Sequence, residues 1–145
     1  MTRLGAVAVV AFAPIISACS SSCPREDEDA RPFNGGNTSA DRTVYETNGW
    51  HENFVDFPAG RRLALMHGLA QAPIEVRSYL AFSKDPLPED GRGVVAESAG
   101  NQVLIQGVDE DSVDVRNDTC EHFYLRLVAS TVPDPEGGGG AGGSP

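Results

Sequence analysis

The chain has 145 residues, with 11 Lys and Arg against 21 Asp and Glu and a formal net charge of −10. A length of this order favours one core with extensions over two independent domains. Such an acidic chain, without a Lys/Arg cluster, repels phosphate backbones, so nucleic acid is excluded as an expected partner.

Residues 1–18 have the parts of an export signal: Arg3 as a short positive region, an apolar run from Leu4 to Ile16, and small residues at Ser17 and Ala18. At about 1.5 Å per residue, that run is too short to cross a hydrocarbon core of roughly 30 Å. An ordinary cleavage site at Ala11-Phe12-Ala13 would leave Pro14 just after the cut, which disfavours it.

The tetrapeptide Ile16-Ser17-Ala18-Cys19 resembles the lipobox of bacterial lipoproteins. The resemblance implies that Cys19 becomes the mature N-terminus, with a diacylglyceryl group on its thiol and an acylated amine. Two or more chains make membrane attachment durable. It also implies a bacterial cell-envelope location, with the membrane as a partner through the N-terminal lipid. Ser20 resembles the outer-membrane class of these proteins. Cys23 is a poor candidate for the same role, because Ser20-Ser21-Ser22 supplies no aliphatic residue before it.

Residues 19–42 are polar, acidic and punctuated by Pro24, Pro32, Gly35 and Gly36. Without a hydrophobic period, they read as a disordered flexible tether. Residues 133–145 form a Gly-rich tail that cannot bury a core. Between them, residues 43–132 alternate by two. In "IEVRSYLAF", Ile74, Val76, Ser78, Leu80 and Phe82 share one face, with Glu75, Arg77 and Tyr79 on the other. In "HFYLRLVAS", Phe123, Leu125 and Leu127 point inward, with His122, Tyr124 and Arg126 outward. Shorter strands are expected at Thr43 to Glu46, Asn53 to Phe57, Leu63 to His67, Gly93 to Glu97, Gln102 to Gln106 and Val113 to Arg116. Turn residues separate them. The expected fold is all-β, a single small antiparallel β-sandwich.

An exported domain of this size gains from a disulfide. With Cys19 consumed by lipid, Cys23 and Cys120 are the candidate pair, for roughly 4 to 5 kcal/mol in the chain-entropy model. The alternative is a plain buried thiol at Cys120.

Chemistry-bearing motifs are sparse. His51-Glu52 begins a zinc-protease pattern, but Val55 stands where the second histidine belongs. His51, His67 and His122 read as separate surface or core histidines, and no metal site is expected from them. Asp109, Asp111 and Asp114 form a weak calcium candidate, lacking the loop glycine of an EF-hand. No nucleophile elbow, phosphate loop or dinucleotide fingerprint is present, so neither a cofactor nor an enzyme activity is expected. A hydrolase with dispersed catalytic residues is the alternative. Arg77, Tyr79, Tyr124 and Arg126 fall on the solvent phase of the two clearest strands, and Trp50 sits just before another. If those strands share a sheet, they form a binding face suited to a glycan or an envelope protein. The layout also resembles small lectin-like sandwiches such as the H-type lectins, which implies a carbohydrate-binding module. The reading reached is a lipid-anchored envelope protein whose sandwich is a non-catalytic binding or structural module.

Overall fold

The computed structural model describes residues 29–86 and 93–132. The expected signal peptide, Cys19, Cys23 and the Gly-rich tail lie outside the described residues.

Among the described residues there are ten strands: β1 (Arg31–Phe33), β2 (Asn37–Thr38), β3 (Val44–Glu46), β4 (Val55–Phe57), β5 (Arg62–Met66), β6 (Glu75–Ala81), β7 (Val95–Glu97), β8 (Val103–Val108), β9 (Ser112–Asn117) and β10 (Phe123–Ser130). They form two sheets. One has four strands in the order β1-β5-β9-β8; the other has β2-β3-β10-β6-β7, with β4 also paired to β10. The fold is all-β, as the period-two alternation predicts. The inward residues do bury: Leu125, Leu127, Val113 and Val115 are fully enclosed between the sheets, and Phe123 and Leu80 pack with them. Ile74 and Phe82 do not follow the alternation of their segment. They flank β6 and are exposed, and Phe82 lies against Phe123 with ring centroids 5.1 Å apart.

Residues 31–38, read as tether, are instead built into the sandwich. β1 joins the edge of one sheet, parallel to β5, and β2 joins β3 in the other. Pro32 is tolerated because an edge strand has one side on which no N–H is needed. Gly35 and Gly36, which look like linker punctuation, carry the chain from one sheet to the other over Tyr45. Gly36 has φ 96°, and a Cβ there would meet the Glu46 carbonyl at 2.6 Å and the Tyr45 ring at 2.8 Å. Only glycine fits so close an approach. The parallel β1–β5 pair is also an exception to the expected antiparallel arrangement.

Tyr45 anchors this crossing. It is buried, and its hydroxyl donates to the Gly35 carbonyl at 2.9 Å. Burial raises its pKa from 10.0 to about 12. Since the native value lies above the unfolded one, the protonated phenol contributes fully below pH 10. That contribution is lost as pH rises through the native value. Tyr45→Phe should therefore flatten the fall in unfolding free energy between pH 10 and 12, as measured by urea titration at each pH. Parallel curves for both proteins would show that this phenol does not control alkaline stability.

His67, near the β5 end, is a core residue. Its Nδ1 accepts from the Leu69 N–H at 3.0 Å, which places the ring proton on Nε2, and that group donates to the Asp109 carbonyl at 3.1 Å. Edge strand β8 exposes Leu104, Ile105 and Val108, but its pairing to β9 shifts register between Ile105 and Gly107. A bulge of this kind twists an exposed edge away from further pairing.

Candidate binding site

The outer face of the six-stranded sheet carries the site. Strand register brings three rows together: Val44, Ser130 and Glu75; then Glu46, Val128 and Arg77; then Arg126 and Tyr79. Where a third residue would complete the last row, β3 has already ended. Both β3 and β4 pair with the same edge of β10, β3 at Val128 to Ser130 and β4 at Phe123 to Leu125. The chain between them, residues 47–54, has to pass a gap of two residues on β10. Thr47 fills the ladder, donating its N–H to the Leu127 carbonyl at 3.0 Å and accepting the Leu127 N–H on Oγ1 at 3.0 Å. The surplus residues loop out over the face. A turn holds the loop tip, with the Gly49 N–H donating to the Glu52 carboxylate at 2.7 Å. Phe54 pins its far end in the interior.

This loop sets Trp50 on the sheet. The Arg126 guanidinium lies under the indole, 4.1 Å from its centroid, and Tyr79 meets the indole edge-on at 4.8 Å. Arg126 is thus not the exposed residue that alternation predicts. Its side chain is 3 % exposed, with Nη2 donating to the Glu46 carboxylate at 2.8 Å and Nε to the Asn48 carbonyl at 3.0 Å. Cation–π stacking and charge-assisted hydrogen bonds together offset the desolvation of this guanidinium. Trp50 remains 39 % exposed.

Beside this stack runs a groove of about 350 Å³, with Trp50 and Tyr79 at one end and Val44, Val128 and Val132 giving it an apolar stretch. Arg77 and Glu75, successive outward-facing positions of β6 along the groove, are ion-paired at 2.6 Å. The groove is therefore lined by two Arg/Glu couples with little net charge: Arg77 and Glu75 offer donors and acceptors side by side, whereas at the other couple Glu46 is the more open partner and Arg126 is covered by the indole. Of the five residues expected on one face, Trp50, Arg77, Tyr79 and Arg126 line this groove. Tyr124 does not; its ring lies against His122, 5.1 Å between centroids, and His122 pairs with Asp56 at 2.7 Å. The glutamates and valines of the groove were not foreseen, because their placement depends on cross-strand register.

Two aspartates of the calcium candidate, Asp109 and Asp114, have protein partners. The Asp109 carboxylate accepts the backbone N–H groups of Ser112 at 2.7 Å and Asp111 at 2.9 Å, closing the β8–β9 turn. Those bonds, chiefly the one from Ser112, hold its carboxyl below the usual carboxylate range. Asp114 instead pairs with Arg62 across the strands at 3.0 Å. Among the described residues, no three His, Cys, Asp or Glu side chains are grouped to hold a metal ion. Cys120, at the β9–β10 turn, is disulfide-bonded and is not the plain thiol of the alternative reading.

No family model matches this chain, and no curated protein or solved structure compared with it matches either.

Proposed function

We propose that the protein is a lipid-anchored envelope protein, attached through Cys19, whose sandwich is a non-catalytic module binding a saccharide in the groove of the six-stranded sheet. The observation that carries the binding assignment is the groove itself: a half-exposed indole and a phenol ring at one end of a floor lined with paired guanidinium and carboxylate groups. A sugar ring has an apolar face for an aromatic edge or face and hydroxyls that both donate and accept. Side-by-side Arg and Glu groups serve such hydroxyls well. Both groove carboxylates are already engaged by guanidinium groups, which suits recognition better than proton transfer. A second reading, a peptide segment of another envelope protein, is favoured by the apolar stretch of Val44, Val128 and Val132.

Trp50 is the sole tryptophan of the chain, so its emission reports on the groove directly. Titrating the detergent-solubilised protein with a panel of neutral and acidic oligosaccharides should shift that emission saturably for at least one of them. Tyr79→Ala should weaken the same titration at least tenfold while leaving the urea midpoint within about 1 M of the parent. If no saccharide moves the emission, the saccharide assignment falls. A response to envelope-protein extract alone would favour the peptide reading.

A further inference from the structure

We propose that the domain is fastened to the membrane at one end by two links, the lipid on Cys19 and a Cys23–Cys120 disulfide, so that the β9–β10 turn faces the lipid and the groove is held away from it. This inference rests on Cys19 being the lipidated residue.

Cys120 is disulfide-bonded, and the chain contains three cysteines. Its partner is therefore Cys19 or Cys23. A thioether sulfur carrying a diacylglyceryl group has no thiol to oxidise, which leaves Cys23. Forming the bond removes two protons and two electrons from the two thiols. An exported chain passes them by thiol–disulfide exchange to a protein-disulfide oxidant.

The strand order independently puts the start of β1 and the β9–β10 turn at the same end. β1 runs parallel to β5, with Arg31 beside Leu63, and Leu63 in turn lies beside Val115. Arg62 is opposite Arg116, so the chain enters the sandwich close to where β9 leaves it at Asn117. Cys120 is three residues further on and exposed. The eight residues from Cys23 to Arg31 reach at most about 29 Å, which is ample for a link at this end. The four from Cys19 to Cys23 reach at most about 14 Å, so the disulfide keeps the β9–β10 turn close to the lipid.

The groove lies elsewhere. β10 begins at Phe123, beside the turn, and runs away from it. The groove rows fall at Arg126, Val128 and Ser130, and Val128 is about 17 Å along the strand from Phe123. Val44 and Glu75 pair with Ser130 at the far end, so the groove runs from the middle of β10, at Arg126, to the end remote from the turn. A domain on a single long tether could tumble and present this face to the lipid; a stapled one keeps it open to ligands.

The full lipidated chain is reconstituted in phosphatidylethanolamine/phosphatidylglycerol vesicles carrying a nitroxide-headgroup lipid, and tryptophan quenching is read. Trp50 reports on the groove. A Trp50→Phe/His122→Trp variant reports on the turn. The turn reporter should be quenched at least threefold more than Trp50, and Cys23→Ala/Cys120→Ala should narrow that ratio. Equal quenching, or stronger quenching of Trp50, in the disulfide-intact protein would overturn the orientation. Palmitate-analogue labelling with a Cys19→Ala control, and thiol mapping by mass spectrometry, separate the two ideas. Label lost from Cys19→Ala together with a free Cys23 thiol overturns the staple alone. Label retained by Cys19→Ala, or a Cys19–Cys120 bridge, overturns the anchor and the staple with it.

Discussion

Replacing Asn117 by alanine is expected to lower the unfolding free energy by about 3 to 5 kcal/mol, among the largest effects of any polar substitution in this fold. Asn117 has no exposed surface, and its side chain satisfies four partners. Its Nδ2 donates to the Phe57 carbonyl at 2.8 Å and to the Glu121 carbonyl at 2.9 Å. Its Oδ1 accepts from the Thr119 N–H at 3.0 Å and the Thr119 hydroxyl at 2.7 Å. Phe57 ends β4 in one sheet, and Asn117 ends β9 in the other, so this amide joins the two sheets while shaping the turn that bears Cys120. Alanine would remove the amide donor from the Phe57 and Glu121 carbonyls and release the turn. Asn117→Asp would be at least as harmful near neutral pH, because a carboxylate would then face two carbonyl oxygens. In urea the midpoint should fall by about 2 M for either variant. A loss under about 1 M would mean that water replaces the amide at this junction.

Eight of the ten strands were legible from period-two alternation and the turn residues between them; β5, β9 and most of β10 alternate in burial as well, whereas β7 and β8 are largely exposed and were marked by their flanking turns. The two that were missed show where such reading ends. β1 and β2 have three and two residues and are mostly exposed, so they display no alternation; what holds them is the close passage of Gly35 and Gly36 over Tyr45, a contact between segments ten residues apart. The candidate face was legible in part. Alternation places Arg77, Tyr79 and Arg126 on the outer phase. That they meet depends on β10 pairing with β6 in a particular register, which no local pattern specifies. In the sequence Trp50 is only an aromatic near a strand. Its position over Arg126 comes from the break between β3 and β4 along one edge of β10, which is a property of the whole sheet. The same break explains why an outward-phase arginine is buried.

That arginine is expected to control the site. Arg126→Ala removes the support beneath Trp50, leaves the Asn48 carbonyl without its guanidinium donor, and frees Glu46. Because Glu46 is 38 % exposed, it regains water, so the destabilisation should be about 2 to 3 kcal/mol and not the larger cost of a fully buried widowed charge. The effect on the groove should exceed the effect on stability. Without its stacking partner the 47–54 loop keeps only the Tyr79 and Thr47 contacts with the sheet, Trp50 emission should move to the red, and ligand affinity should fall at least tenfold. Arg126→Met separates the causes. It keeps volume under the indole but neither charge nor donors, so it should recover much of the stability and little of the binding. Lysine should do no better, since an ammonium group cannot stack flat beneath the ring while also reaching the Glu46 carboxylate and the Asn48 carbonyl. If Arg126→Met binds as tightly as the parent, the guanidinium serves only as packing, and recognition must come from Arg77, Glu75 and the aromatic rings. If Arg126→Ala leaves both emission and affinity unchanged, the loop is held by Thr47 and Phe54 alone, and the stack is not what positions the site.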